Sequence, residues 1–470
     1  MVFLRAIYLH LIANAYIGAA HPHVYSPLAE HHALPQPLPI RDPSSKLDIR
    51  QAAHDVIRGG GWLLNYQASG TTYDGTMRVE NNQSHLIISG DLYKRTTIPD
   101  PAGGIPIFPA DSHDTYIRVT GYGQGVDSFD LTFELWRSSG KDSSSGLVWS
   151  STGATSFIAA MGRKTAPIGF PSTNDFFEGD VKSKADGSTS GYLTMGWIST
   201  FFRKLSVEID AVPNAEIPES DGGSHNWKTV FADVGYDLTL DVSDRNVEEP
   251  AGSPPWTGKQ AHAAMLKYRK PVDFNKEWRI HLLVVKRIGA SSRGTMYDSE
   301  TDDENHLPRE GCMIAANWKF GDNNNQVPDG SQWGPDLQGK RFGQIPAAFF
   351  RAAVHEVSHA LGLWHPRLHR EFENDFDRAP FDLGFMTPTE DFLKSQEQLG
   401  TGPKFPQNIE WRFHPADQLW LKHLSDQHVR PGYSEFGNLN FSTPTNPGNV
   451  VRLVPGSSQI RQIFSESQEC

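Results

Sequence analysis

His355-Glu356-Val357-Ser358-His359-Ala360-Leu361-Gly362-Leu363-Trp364-His365 spells H-E-x-x-H-x-x-G-x-x-H, and the fold expected of the chain follows from it. Residues four apart share one face of a helix, so His355 and His359 present two imidazoles to one point. Glu356 stands beside the first of them, a carboxylate able to hold a water without being a ligand. Gly362 lets the chain leave the helix through a left-handed conformation and return His365 as a third ligand. Three protein ligands with a fourth position left to water make the open tetrahedral arrangement of a catalytic zinc site. The plainer alternative is a core helix with surface histidines, in a chain that carries 19 His. It leaves the joint placement of Glu356, Gly362 and His365 unexplained.

Working outward, Pro346 is a favoured first helical residue, and the run from Ala347 to Gly362 continues as one helix. Upstream, 234–242 and 278–288 read as strands, 312–317 as a shorter one, and 256–270 as a helix capped by Thr257. A Gly/Asn/Asp-rich loop occupies about 320–343, and a last helix is expected at 415–424. Residues 59–212 have a different grammar: short alternating runs such as Trp62-Leu-Leu-Asn-Tyr66 and Phe129-Asp-Leu-Thr-Phe-Glu-Leu135, broken by Gly, Asp and Ser. That pattern predicts an antiparallel sandwich or barrel. The expected fold class is therefore multidomain, an N-terminal all-β sandwich or barrel (51–212), a linker at 214–224, then an α/β (α+β) domain (225–430) and a tail (431–470).

Composition limits the function. At 470 residues two or three domains are expected, and 26 Phe, 13 Tyr and 12 Trp suffice for a real core. A net charge of −12 without a basic block excludes nucleic acid and anionic membrane surfaces as partners. Arg5 followed by an apolar run ending in Gly18-Ala19-Ala20 reads as a signal peptide over 1–20, a buried N-terminal helix being the alternative; the Pro/His-rich stretch 21–50 is a leader. The chain is expected to be secreted, and Asn82 and Asn440 head glycosylation sequons. Two cysteines, Cys312 and Cys470, either form one bridge or remain free thiols.

The zinc motif, with the wording HALGLWHP, resembles the metzincin clan of zinc endopeptidases, and its serralysin branch most. Leu383-Gly-Phe-Met-Thr-Pro-Thr389 resembles the clan's Met-turn, which makes Met386 the methionine beneath the metal. The resemblance covers about 225–430 and implies a metzincin-like catalytic domain, one catalytic zinc held by His355, His359 and His365, Glu356 as general base, and a protein or peptide substrate. Pro388 stands where serralysins and astacins carry an oxyanion-stabilising Tyr; no calcium-binding repeats follow, and the cysteines are too few for astacin or reprolysin disulfides. Tyr433 and His369 are candidates for the missing donor. Residues 387–395 are expected to wall the substrate pocket, and the acidic stretch 371–382 is a calcium site or a solvated loop. Phe177-Glu178-Gly179-Asp180 resembles the segment by which astacin propeptides place an Asp on zinc, so Asp180 is a zymogen switch or sits in an ordinary β-turn. The expected function is a secreted zinc endopeptidase. Its alternative is a secreted binding protein, or a narrowly specific processing protein, that keeps the zinc site without general proteolytic turnover.

Overall fold

Alternation decides the first half of the chain. Trp62, Leu64 and Tyr66 are buried along one strand, Phe129, Leu131 and Phe133 along another, and Leu193, Met195 and Trp197 along a third. Each set turns its face to a common interior. The computed structural model describes residues 57–436, apart from 83–84, 143–145, 150–154, 290–291, 299–305, 322–332, 334–335, 366–382, 390–391 and 393–403, together with 451–452. All of these lie in one compact unit, 53–470.

The strands in order are β1 (Gly60–Ala68), β2 (Thr71–Asn82), β3 (His85–Lys94), β4 (His113–Gln124), β5 (Ser128–Trp136), β6 (Ser138–Asp142), β7 (Gly146–Trp149), β8 (Thr155–Arg163), β9 (Phe176–Ser183) and β10 (Thr189–Ser199). Eight of them pair antiparallel in the order β3-β2-β1-β10-β9-β8-β5-β4, and β4 returns to β3. The sheet is thus a closed barrel, which abolishes its edges. β6 and β7 form a separate hairpin, and β16 (Val451–Arg452) adds to β3.

The second sheet contains β11 (Arg203–Ala211), β12 (Tyr236–Val242), β13 (Arg279–Val285), β14 (Gly294–Met296) and β15 (Gly311–Ala315), in the order β12-β11-β13-β15-β14. All pairings are parallel except that of β14, an antiparallel edge strand. The helices are α1 (Trp227–Ala232), α2 (Gly258–Tyr268), α3 (Pro346–Ala360), α4 (Pro415–His423) and α5 (Asp426–Val429). Thr257 caps α2 as expected and does so in a capping box, in which its side chain accepts from Gln260 N–H and the Gln260 side chain accepts from Thr257 N–H.

The expected fold class has to be corrected. A sandwich or barrel followed by an α/β metzincin-like domain is not what the chain adopts. The barrel half of the expectation is met in part, by a closed eight-stranded barrel. The rest is a mixed sheet in a structure made mostly of strands, with few helices among the described residues, and it is not an α/β metzincin domain. β11 shows why the sequence misled. By its alternation Arg203–Ala211 belongs with the β-rich stretch 51–212, yet it pairs with β12 and β13. Its last five residues are all buried, the mark of a strand covered on both faces. A two-residue period is common to both sheets and cannot say which of them a strand will join.

A polar cluster joins the barrel to the α4–α5 corner. Arg78 Nη1 on β2 bonds to Asp91 (2.7 Å) and to Asp426 (3.1 Å), while Arg203 Nε on β11 reaches the same Asp426 oxygen at 2.9 Å. Tyr93 OH donates to Asp426 (2.7 Å), and Ser425 OH donates to Asp91 (2.6 Å). Lys422 Nζ and His423 Nε2 both meet the Glu80 carboxylate, at 2.7 and 3.1 Å. Two buried guanidinium groups are thereby matched to two carboxylates, which is the condition under which buried charge is tolerated.

Candidate metal centre

α3 begins at Pro346 and is buried along almost its whole length, from Ala348 to Ser358. Its Ala-rich first turns favour the helix, and its apolar positions belong to the larger of the two main cores. It ends as the sequence required. Gly362 has φ +88°, its N–H donates to His359 O at 2.8 Å, and Leu363 N–H donates to Ser358 O at 3.1 Å. A Cβ at Gly362 would also lie 3.1 Å from His428 O and 3.2 Å from Arg309 Nη1. Only glycine meets both conditions, and the reversal it permits carries the chain back to His365.

The three imidazoles converge. Nε2 of His355 lies 2.9 Å from Nε2 of His365 and 3.0 Å from Nε2 of His359, and the remaining side of the triangle is 3.2 Å. Three nitrogens at zinc's bond length in a tetrahedral arrangement stand about 3.3 Å apart. Small outward movements would therefore accommodate an ion of that size. The rings are also held in the right tautomer. Nδ1 of His355 faces Phe385 O at 2.8 Å, and Nδ1 of His359 faces Leu363 O at 2.7 Å. A carbonyl only accepts, so both Nδ1 atoms carry the proton and both Nε2 atoms offer a lone pair inward. Burial, reinforced by neighbouring cationic and imidazole groups, pushes His355 well below its usual value and His359 down to about 3. Neutral imidazole is the form that ligates.

Glu356 is 7% exposed and faces the edge strand β14. A Cβ on Gly294 would lie 2.4 Å from its Oε1, so the strand leaves space for the carboxylate by lacking a side chain there. Burial raises Glu356 to about 8; the positive charges of Arg351 and Arg293 and the Met296 N–H work against it. A carboxylate tuned towards neutrality suits proton transfer at physiological pH.

Met386 is 1% exposed, in a turn whose preceding residue, Phe385, supplies the carbonyl that holds His355. The possible ligand atoms that lie mutually within 4.8 Å belong to the three histidines, with no carboxylate or thiol among the described residues joining them. Asp180 is elsewhere: it is an exposed position on β9, paired with Tyr192 in the barrel wall. Tyr433 OH accepts from Gln427 Nε2 at 2.9 Å. His369, the acidic stretch 371–382, Asn440 and Cys470 lie outside the described residues, as do most of 387–395; Cys312 is fully buried on β15.

Two contributors escaped the sequence reading. Arg351, four residues before His355, donates to Phe385 O (2.7 Å) and Thr389 Oγ1 (3.1 Å), and its guanidinium lies 4.9 Å from the Phe392 ring centroid. A lone charge in the run AAFFRAAV on the His355 face was the available signal. Phe436, placed by sequence in the tail, stacks on Trp364 at 4.6 Å and meets His359 edge-on at 5.8 Å. No sequence signal pointed to it. The chain matches no known family model, no curated protein and no solved structure at a significant level.

Proposed function

We propose that the protein is a zinc-dependent hydrolase of peptide bonds, acting on protein or peptide substrates. The observation that carries this is the convergence of three Nε2 atoms, two of them given inward lone pairs by Nδ1–H bonds to carbonyls, beside a buried carboxylate. His355, His359 and His365 would hold the zinc, which would supply Lewis-acid polarisation of the scissile carbonyl and of the attacking water. Glu356 takes the proton from the attacking water. It then delivers that proton to the amine nitrogen as the C–N bond breaks. The resemblance to metzincins supports this reading through the motif and the Met386 turn, and through nothing in the overall architecture. Export is proposed with it, on the apolar segment before His21.

The test is metal content joined to activity. The purified chain is expected to carry one zinc per molecule and to cleave a casein-type substrate, with loss of cleavage on chelation and recovery on adding zinc. His359→Ala should lower zinc content severalfold. Undiminished zinc in that variant would refute the ligand assignment. Zinc without turnover on any general substrate would favour a binding or narrowly specific processing role.

A further inference from the structure

We propose that Arg309 is the positioning residue of the third metal ligand, His365, and of the aromatic wall beside it. The inference rests on the metal-site reading above and deepens it.

Arg309 precedes β15 and is 1% exposed. Its side chain makes four bonds, all to backbone carbonyls or a hydroxyl. Nη1 donates to Ala360 O at 3.0 Å, the last residue of α3. Nη2 donates to Arg430 O (2.8 Å) and Ser434 Oγ (3.0 Å), and Nε donates to Ser434 O (2.5 Å). Helix ends leave carbonyls without intrahelical partners, and a cation is favoured there. Arg309 meets that requirement for α3 and for the residue that caps α5. Nη1 also lies 3.2 Å from where a Cβ on Gly362 would stand, so the guanidinium packs against the turn that sends the chain to His365.

The second arm of the clamp reaches the site through Ser434. Ser434, held twice by Arg309, is two residues from Phe436, whose ring stacks on Trp364 and meets His359. Trp364 immediately precedes His365. One buried side chain therefore fixes both supports of the third ligand: the end of the helix behind it and the aromatic segment beside it. His355 is independent of this clamp. It sits mid-helix, with its Nδ1 held by Phe385 O.

The experiment compares Arg309→Met and Arg309→Lys with a Val79→Ala control in the barrel core, where burial is complete and the metal site is not involved. Two readouts are used: the histidine ring signals in long-range 1H–15N spectra of the metal-free protein, and zinc affinity by competition. In Arg309→Met the His365 ring signals are expected to shift or broaden more than those of His355, with zinc Kd rising tenfold or more. Lysine, which cannot reach all four acceptors, should give a smaller change of the same kind and serves if the Met variant fails to fold. In a His365→Ala background, Arg309→Met should weaken zinc binding far less than in the native chain, because the ligand it chiefly positions is gone. Unchanged His365 signals in a folded Arg309 variant overturn the proposal, as does an equal change in Val79→Ala. A wild-type chain that binds no zinc, yet whose His365 signals respond to Arg309, refutes the function proposed above and leaves the positioning role standing.

Discussion

Glu356 is separated from solvent and from an ordinary carboxylate pKa by the same cause, its burial under β14. The mechanism requires it to accept and return a proton, which an amide cannot do. Glu356→Gln, close to isosteric, should keep zinc content and melting temperature near those of the native chain while turnover falls by about two to four orders of magnitude. Steady-state kinetics with metal analysis on the same sample checks this, and near-native rates would refute the role. The proposed base and the three histidines proposed as ligands were legible in the sequence, because residue type and spacing on a helix fix which side chains share a face. What holds them was not. Phe385 O reaches His355 from a turn 30 residues away in the chain, and nothing in the local period announces that meeting.

Among the elements, α3 and β14 together make the site. α3 carries His355, His359 and the proposed base Glu356, and β14, three residues long, lies across that carboxylate as the edge of the mixed sheet. Gly294 is the point of contact. A methyl there would stand 2.4 Å from Glu356 Oε1, 2.7 Å from its Cγ and 2.8 Å from its Cδ, so the carboxylate must move. Gly294→Ala is expected to cost about tenfold or more in kcat, since displacements near 1 Å at a reacting group are severe. Zinc content should stay unchanged, because the ligands lie elsewhere. Loss of zinc in step with activity would place the defect in the metal site rather than in the base. The strand segments themselves were readable: β13 falls inside the apolar run expected to be a strand at 278–288, and α4 inside the helix expected at 415–424.

For the whole molecule, the polar cluster between barrel and α4–α5 corner makes stability depend on acid. His423 is fully buried, and burial outweighs the attraction of Glu80 to hold it down to about 4. The unfolded chain takes up that proton near pH 6.5, the folded one only near 4. Stability from this group is therefore complete above pH 6.5 and falls by about 3 kcal/mol as pH drops to 4. Glu80 acts lower on the scale. Burial works to raise it, but hydrogen bonds from His423 and Lys422 and the charge of Lys422 prevail and bring it to about 2. Its contribution is present above about pH 4.5 and is lost as pH falls through 2. Denaturation midpoints of the metal-free chain should decline steadily from pH 6.5 to 4, and His423→Gln should make that decline shallower, the buried His355, His359 and His428 supplying the rest. A native profile flat over this interval would contradict the buried neutral imidazole.

The sequence by itself determined the local units: a strand wherever apolar residues alternate, a helix from Pro346, a left-handed exit at Gly362, and three histidines in register around it. Each of these depends on residues within a few positions of one another. Only the tertiary structure decided that the eight N-terminal strands close into a barrel, that β11 leaves them for the mixed sheet, and that Arg309 packs against the Gly362 turn and Phe436 against His359. Those outcomes depend on which distant surfaces exclude water together and which buried donors find acceptors. Both are properties of long-range packing, and a local period carries no record of them.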